Sequence, residues 1–396
     1  MIYRENIKNG DQLSQLGFGC MRLPRKGTSI DMVRSKELIH AAIEKGVNYF
    51  DTAYIYPGSE AVLGRILSGE LRKKVYIATK LPVIMTRTAE DINRYFDKQL
   101  ERLQTDYIDY YLMHMLTSMA DFEKLKNLGI ESWIQKQKSS GRIRNIGFSF
   151  HGTKEHFKKI IDAYDWDFCM IQYNYLDEAY QAGLEGLQYA HLKGMPVMIM
   201  EPLRGGKLAT SIPPKAMAEF QIVDKERSAA DWGLRWVWNH PQMTLLLSGM
   251  NTHAQLDSNA ALASQVNPLH LSQQELEAYK RVYSYMKENI KVNCTSCAYC
   301  VPCPFGVNIP AIFSSYNEYF TGGRLQALSH YMISSSIAPE SPSYASHCKR
   351  CGKCEKHCPQ EIKIMDQLQE ASKVLEPFWL KSAAKIARKF TKGKNK

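Results

Sequence analysis

Residues 31–52 read DMVRSKELIHAAIEKGVNYFDT, and this stretch holds one complete repeat of the pattern that decides the fold. Apolar residues recur with helical spacing as far as Lys45, and Gly46 is the kind of residue that ends a helix. Val47–Thr52 follows as a short, mostly apolar strand with the polar residue Asp51 next to its end. A helix followed directly by a buried strand is the unit of parallel α/β folds.

The same alternation continues through about 250 residues, the usual length of a (β/α)₈ barrel. The predicted strands are Leu16–Met21, Val47–Thr52, Val75–Lys80, Tyr107–His114, Arg144–Phe150, Phe168–Tyr173, Pro196–Glu201 and Thr244–Gly249. Predicted helices include Asp31–Lys45, Ala89–Leu103, Lys154–Ala163, Leu184–Lys193, Arg227–Trp238 and His253–Ala263. We therefore expect an α/β fold in the form of a closed TIM barrel. An open doubly wound sheet is the alternative, but Gly17-Phe-Gly19 lacks the third glycine and the acidic partner of a dinucleotide-binding turn.

Length and composition agree with one large domain followed by a small one. The chain has 396 residues, of which 44% are hydrophobic and 23% charged, as in ordinary soluble proteins. No apolar run of about 18 residues predicts a membrane span. The N-terminus, MIYREN, has no basic region followed by an apolar core, so we expect a cytoplasmic protein.

The barrel pattern stops near residue 265, which gives the expected domain boundaries. We predict a barrel over residues 1–265, a linker helix over 266–290, a cysteine-rich domain over 291–375 and a basic tail over 376–396. Ser272 and Glu275 form a capping-box pattern at the start of the linker helix. The cysteine-rich domain is predicted to be mostly helical, with helices at Ile309–Phe320 and Arg324–Ile333.

The C-terminal tail holds much of the positive charge. Seven lysines and arginines and no acidic residue lie between Lys381 and Lys396, out of a net charge of +11. A solvated tail is the simpler interpretation. The alternative is an amphipathic basic helix, which Phe378-Trp-Leu together with Ile386, Ala387 and Phe390 would allow. Such a helix would make at most weak peripheral contact with an acidic membrane. No nucleic-acid-binding motif accompanies the charge, so no nucleic-acid partner is expected.

Polar residues occur where the predicted strands end. In a (β/α)₈ barrel the catalytic groups lie at the carboxyl ends of the strands. Six of the predicted strands have a polar residue at their last or next-to-last position, namely Asp51, Lys80, His114, Ser149, Gln172 and Glu201. One polar ending would mean little, but six in succession predict a ring that lines one mouth of the barrel.

Three of these strand ends carry a specific resemblance. Asp51-Thr-Ala-Tyr-Ile-Tyr-Pro-Gly-Ser-Glu60, Ile77-Ala-Thr-Lys80 and Tyr110-Tyr-Leu-Met-His114 resemble motifs of the aldo-keto reductases. The similarity extends over about the first 265 residues. It implies a (β/α)₈ fold, a nicotinamide cofactor, NADPH or NADH, and reduction of a small aldehyde or ketone.

The resemblance also implies a catalytic tetrad of Asp51, Tyr56, Lys80 and His114. Hydride transfer to a carbonyl carbon leaves an alkoxide that must be protonated, and Tyr56 would be the general acid. Lys80 would stabilise the phenolate, Asp51 would hold Lys80, and His114 would donate to or orient the carbonyl oxygen. Tyr54 is an equally close tyrosine in the sequence, so the choice of Tyr56 depends on the resemblance.

The nicotinamide end of the cofactor has three candidate contacts by the same resemblance. Ser149 and Gln172 match positions that hold the carboxamide, and Met200 stands where the family often stacks a tyrosine on the ring. Phe150 follows Ser149, where the family usually has asparagine.

The rest of the cofactor has three further candidates. Arg204 and Lys207 lie in a segment that resembles the loop over the pyrophosphate, and Asn259 fits an adenine contact. Gly249, Met250 and Gln255 occupy the places where basic residues usually bind a 2′-phosphate, so the choice between NADPH and NADH stays open.

Eight of the ten cysteines fall into two groups. Their positions are Cys294, Cys297, Cys300 and Cys303, followed by proline, and Cys348, Cys351, Cys354 and Cys358, also followed by proline. The second group has the ferredoxin spacing, in which the fourth cysteine ligates the other cluster. We therefore predict two crossed [4Fe–4S] clusters, one bound by Cys294, Cys297, Cys300 and Cys358 and the other by Cys303, Cys348, Cys351 and Cys354. Zinc is the alternative, since it also binds thiolates.

The two cysteines outside these groups, and the segment between the groups, also allow predictions. Cys20 and Cys169 lie in predicted strands and are expected to be inert core residues. Because the segment between the two groups looks helical, the domain resembles α-helical ferredoxin domains, and aldo-keto-reductase-like barrels with such a domain form a recognisable subgroup.

These features predict an oxidoreductase whose clusters relay electrons or stabilise the structure. Nicotinamide delivers two electrons as hydride, whereas each cluster passes one, so a flavin or a redox partner protein would have to join them. No flavin signature is present, which leaves a flavin as an open third cofactor. A redox-sensing nicotinamide-binding protein and a ferredoxin-like electron-transfer partner are the alternative functions.

Overall fold

The computed structural model describes residues 1–321, 323–337, 339, 341–382 and 384–385. The chain divides into two compact units, the first made of Met1–Leu203 and Ala230–Leu271, the second of Arg204–Ala229 and Ser272–Lys396. Our expected boundary at residue 265 assigns residues 204–229 to the barrel, whereas in the structure this segment packs with the C-terminal residues. Nothing in the local sequence pattern indicated that residues 204–229 would belong to the second unit.

The first unit contains the strands. They are β1 Tyr3–Glu5, β2 Gln12–Ser14, β3 Leu16–Gly19, β4 Arg25–Lys26, β5 Ser29–Ile30, β6 Tyr49–Asp51, β7 Tyr76–Leu81, β8 Ile108–Leu116, β9 Ile143–Phe150, β10 Phe168–Gln172, β11 Val197–Met200 and β12 Leu245–Ser248. Its helices are α1 Met32–Glu44, α2 Ser59–Ile66, α3 Ala89–Leu103, α4 Met119–Asn127, α5 Ile130–Ser139, α6 Lys154–Ala163, α7 Gly183–Leu192, α10 Ala229–Trp238 and α11 His253–Ala263. The two helices between α7 and α10, α8 Lys207–Thr210 and α9 Pro214–Gln221, belong to the second unit.

Eight of the strands close into a parallel barrel. Their order around it is β3, β6, β7, β8, β9, β10, β11 and β12, with β12 pairing back to β3. Every neighbouring pair is parallel, and helices connect most of them along the chain. The predicted (β/α)₈ barrel is confirmed, and each of its eight strands overlaps the segment predicted from the sequence.

The period of two along each strand positions the mouth residues. An inner layer of buried side chains fills the barrel, including Tyr49, Ala78, Leu112 and Met170. Side chains two residues apart on a strand point to the same face. Asp51, Lys80, His114 and Gln172 each follow one of these core residues by two positions, so they lie one layer above the core, inside the barrel and at its carboxyl end.

A hairpin that the sequence pattern did not predict closes the opposite end of the barrel. Strands β1 and β2 pair antiparallel there, and Leu13 joins the inner core. The Tyr110 hydroxyl donates to the Asp11 carboxylate at 2.6 Å and accepts from the Asn6 amide at 3.1 Å. Both strands are three residues long, too short for a clear alternation of polar and apolar residues.

The second unit is helical among its described residues. Besides α8 and α9 it contains α12 Gln273–Asn289, α13 Ile309–Thr321, α14 Arg324–Met332 and α15 Ile364–Leu375. The predicted capping box is present at the start of α12, where Ser272 and Glu275 exchange hydrogen bonds between side chain and backbone. The Phe220 and Tyr279 rings join α9 to α12, with centroids 5.2 Å apart. Its separate hydrophobic core includes Ile312, Phe313 and Leu368, with cysteines of both groups packed at its edge.

Among the described residues, no helix combines the length and hydropathy needed to cross a bilayer. Ile386, Ala387 and Phe390, which would form the apolar face of the predicted basic helix, lie outside the described residues.

Helix α2, which follows the turn after β6, is packed closely against α3 through Gly64. A Cβ atom at Gly64 would lie 2.4 Å from the carbonyl oxygen of Arg102 and 2.6 Å from the Cα of Leu103. We expect Gly64→Ala to lower the free energy of unfolding by about 1–3 kcal/mol, the usual cost of overpacking. Urea unfolding of the two proteins measures it. Arg65→Ala, at the exposed next position, is the control, and equal stability of Gly64→Ala and wild type would contradict this packing.

Candidate active site and cluster-binding module

The Lys80 ammonium is the most constrained group at the barrel mouth. Its Nζ donates to both carboxylate oxygens of Asp51, each at 2.7 Å, and to the Thr52 carbonyl oxygen at 2.7 Å. An ammonium has three donors, and all three have partners here. Burial raises the pKa of the Asp51 carboxyl, and Lys80 opposes that shift. The ion pair is therefore fixed in one geometry inside the barrel.

Tyr56 and His114 lie beside this ion pair. The Lys80 Nζ is 5.3 Å from the centre of the Tyr56 ring. The Tyr56 and His114 rings meet edge to face, with centroids 6.1 Å apart and planes at 84°. All four residues of the predicted tetrad thus lie close together at the carboxyl end of the barrel, although they come from three strands and one turn.

Tyr54, the competing tyrosine, points elsewhere. Its ring packs against Tyr95 of α3 at 4.8 Å between centroids, and the Arg102 guanidinium stacks 4.4 Å from its centre. The two tyrosines therefore have different neighbours, and it is Tyr56 that lies beside Lys80 and His114.

A buried hydrogen-bond network supports the Lys80 strand from behind. The Glu60 carboxylate accepts from Thr79 at 2.7 Å, from Gln99 at 2.8 Å and from Arg102 at 3.0 Å. Gln99 also donates to the Lys80 carbonyl oxygen at 3.0 Å. Glu60 lies in the motif after β6 but was not predicted to have this role, and Gln99 was not predicted at all, although a polar residue on the apolar face of α3 was a usable signal.

A second histidine, which the sequence analysis missed, lies next to His114. Burial lowers the pKa of His114 well below its ordinary value, and the nearby Lys80 and His151 lower it further. Burial also lowers the pKa of His151 to about 4. Both imidazoles are therefore neutral near pH 7, so His114 can donate through one ring nitrogen without carrying charge.

The two predicted carboxamide contacts are buried at the strand ends. The Ser149 hydroxyl accepts from the Met115 amide at 2.8 Å. The Gln172 amide donates to Asp177 at 2.8 Å, and Asn174 donates to the same carboxylate oxygen at 2.9 Å. Asp177 and Asn174, which the sequence analysis missed because they follow the strand, thus orient Gln172.

The remaining cofactor candidates are divided between the two units. In the first unit, Met200 ends β11, and the Asn259 amide donates to the Ser248 hydroxyl at 3.1 Å. In the second unit, Arg204 is buried in a turn of left-handed backbone, and Lys207 begins α8. Arg204 and Lys207 line a cavity of about 400 Å³ that also contains the cluster-ligand candidate Cys294. The cavity has both cationic and apolar walls.

The two cysteine loops have the same backbone pattern. In the first loop the Ser296 amide donates to Cys294 Sγ, and in the second the Arg350 amide donates to Cys348 Sγ, both at 3.4 Å. Ser296 and Arg350 both have left-handed backbone, with φ of 57° and 51°. Backbone amides directed at sulfur stabilise thiolates, which are the form that binds iron.

Cysteines of the two groups also lie near one another, across the sequence gap between them. Burial raises the pKa of Cys300 to about 12, with Cys294, Cys297 and Cys358 as neighbours that raise it further. Cys303 lines a cavity of about 330 Å³ with Cys351 and Cys354 of the second group, and its neighbour Cys300 lines the same cavity. The structure therefore brings Cys358 to the first group and Cys303 to the second.

The spacing of these cysteines bears on the zinc alternative. Among the described residues, no group of three or more His, Cys, Asp or Glu side chains is arranged to hold a metal ion. A zinc ion draws its thiolates to about 2.3 Å, which requires a tight group. The thiolates of the two cysteine groups are soft ligands that suit either zinc or iron–sulfur clusters. Cys20 and Cys169 are both fully buried in the barrel, and burial raises the pKa of each thiol, as expected of core cysteines.

Two family models match the chain. The aldo/keto reductase family model matches residues 15–283, and the 4Fe-4S dicluster domain matches residues 293–365. A solved aldo-keto reductase from Bacillus halodurans, in its holo form, is 24% identical, with a TM-score of 0.59, and the alignment covers 71% of this chain and 96% of that one. At that identity the structural likeness shows the fold alone.

Several of the curated relatives are named as reductases of small molecules. A 6-dehydroglucose reductase of Novosphingobium aromaticivorans is 27% identical over 65% of this chain and 89% of its own length. A methylglyoxal reductase of Escherichia coli is 29% identical over 62% and 83%, and a glyoxal reductase of Bacillus subtilis is 27% identical over 60% and 80%. The barrel, its mouth and the matched models lead to one conclusion: this chain belongs to the aldo/keto reductase family, and a 4Fe-4S dicluster domain follows its barrel.

Proposed function

We propose that this oxidoreductase reduces a small aldehyde or ketone with NADPH or NADH, that Tyr56 is its general acid, and that its C-terminal domain binds two [4Fe–4S] clusters. The observation that carries the proposal is the buried Lys80 ammonium, bonded to Asp51 and 5.3 Å from the Tyr56 ring. The reductases of methylglyoxal and glyoxal among the relatives support a small carbonyl substrate.

The proposed mechanism assigns one task to each residue of the tetrad. The nicotinamide supplies hydride to the carbonyl carbon when it is bound. Tyr56 then gives its phenolic proton to the oxygen that becomes an alkoxide. Lys80 stabilises the resulting phenolate, and Asp51 holds Lys80 in position. His114, neutral because of its burial, donates to the carbonyl oxygen and orients it.

The cofactor contacts follow from the resemblance and the positions described above. Ser149 and Gln172 would hold the carboxamide, Met200 would cover the nicotinamide ring, and Asn259 would contact adenine. Arg204 and Lys207 suit a pyrophosphate because guanidinium and ammonium groups bind phosphate oxygens strongly. Their shared cavity gives these two cations a space large enough for a ligand.

Tyr56→Phe tests the assignment of the general acid. We expect kcat for reduction of methylglyoxal or another small carbonyl to fall about 10²–10⁴-fold, the usual contribution of a positioned acid. Binding of the reduced nicotinamide, followed by its fluorescence, is expected to be retained. Tyr54→Phe is the matched control because that ring packs on Tyr95 instead. Equal rates for Tyr56→Phe and wild type would contradict this assignment, and the absence of turnover in both proteins would favour a nicotinamide-binding sensor.

Paired cysteine variants test the crossed cluster assignment. If the sets are crossed, Cys294→Ser with Cys358→Ser removes ligands of one cluster, and half of the iron and sulfide is retained. Cys294→Ser with Cys303→Ser then removes both clusters. Independent, uncrossed motifs predict the opposite pattern. Iron and sulfide analysis after anaerobic purification measures it, with Cys169→Ala as the control, and flavin analysis of the same samples tests for a converter.

His151 is expected to make the protein sensitive to acid. Its folded pKa, about 4, is below the unfolded value of about 6.5, so the unfolded state binds the proton first. Stability therefore falls as the pH decreases from about 6.5 to 4, by about 2–3 kcal/mol for this residue. His151→Gln is expected to lose less stability between pH 7 and 4.5 than wild type in anaerobic urea unfolding. The exposed His191→Gln is the control, and identical pH profiles for all three proteins would contradict the assignment.

A further inference from the structure

The loop that contains the second cysteine group is basic and open to solvent. Lys349, Arg350, Lys353 and Lys356 are exposed between Cys348 and Cys358. The loop has one acidic residue, Glu355, which is partly buried and accepts from the Met365 amide at 2.8 Å. Arg350 is paired with Asp366 at 2.6 Å, so the three lysines are the main source of uncompensated positive charge.

Apolar side chains lie beside these cations. Val301 and Phe305 are 39% and 43% exposed, and prolines flank Cys303 between them. The cavity of about 330 Å³ joins this apolar loop to the basic one, since Val301, Cys303, Cys351 and Lys353 all line it. We call the surface around this cavity the cluster face: Val301 and Lys353 line the cavity, and Phe305, Lys349 and Lys356 are exposed on the same two loops.

The cluster face is also where a cysteine is most accessible. Among the eight cysteines of the two groups, all of them described, Cys351 is exposed and the other seven are partly buried. Cys351 belongs to the set formed with Cys303 and Cys354 in the proposed function. Electrons tunnel most readily over short distances, so a cluster held by Cys351 is the accessible one.

We propose that the cluster face is the docking site of an acidic one-electron carrier protein. The proposal rests on the proposed function, because it needs the cluster bound by Cys303, Cys348, Cys351 and Cys354. In each encounter the reduced carrier loses one electron and the oxidised cluster gains one, and no bond is formed and no proton is transferred. Transfer in the opposite direction uses the same contact.

A protein with an acidic surface fits both parts of this face. Apolar side chains in the centre and charges around them are the arrangement of transient protein interfaces. Complementary charge raises the association rate and orients the partner, which suits short-lived redox encounters. Their interfaces are small, so two exposed apolar residues with a few lysines are enough.

Stopped-flow reduction of the full-length holoprotein by a chemically reduced plant-type [2Fe–2S] ferredoxin, an acidic carrier, tests the proposal under anaerobic conditions. We expect a second-order rate constant that falls as ionic strength rises. Lys353→Glu with Lys356→Glu is expected to lower it at least tenfold at low salt. Val301→Ser with Phe305→Ser is expected to lower it with little change in its salt dependence.

Lys74→Glu with Lys136→Glu is the matched control because it makes the same charge change at exposed lysines of the first unit. Equal slowing in this control and the cluster-face variant, or a rate constant independent of salt, would overturn the docking proposal. Reduction by dithionite separates the two proposals. If dithionite reduces both clusters but the ferredoxin does not, docking alone fails. If reduction by dithionite shows no second cluster, both the docking proposal and the proposed two-cluster function fail.

Discussion

The buried ion pair between Lys80 and Asp51 is the interaction on which the barrel mouth depends. Both groups are almost completely removed from water, and a charge in that position is costly unless a partner compensates it. Removing either partner would leave an uncompensated charge, at a cost of about 3–5 kcal/mol. The Thr52 carbonyl takes the third ammonium proton, and Glu60 and Gln99 fix the strand from which Lys80 projects. These contacts fix the ammonium, which lies 5.3 Å from the centre of the Tyr56 ring.

The barrel could be predicted because its strands are short apolar runs that end on polar residues, and the period of two then directs Asp51, Lys80 and His114 into one mouth. The hairpin beneath the barrel could not, since its strands are three residues long. The packing of residues 204–229 with the C-terminal residues could not be predicted from local periodicity either. It depends on contacts between residues far apart in sequence, such as Phe220 and Tyr279.

In the candidate site, too, the sequence pattern predicts some residues and not others. Strand ends identified the tetrad candidates, but the different surroundings of Tyr54 and Tyr56 depend on the turn after β6, which no spacing rule describes. His151 and Asp177 follow strands β9 and β10 rather than ending them, so a search restricted to strand ends does not reach them. The cysteine spacing was more informative, because metal ligation constrains sequence directly.

The nearness of Cys358 to Cys300 has a consequence for the folding of the small domain. A cluster that binds both would act as a cross-link, closing a loop that contains α13, α14 and most of its hydrophobic core. Cross-links that close long loops remove many conformations from the unfolded chain, as disulfides do. The bound iron would then stabilise the fold as well as carry electrons. The stability of the helices between the cysteine groups would depend on the cluster that joins the two ends of this segment.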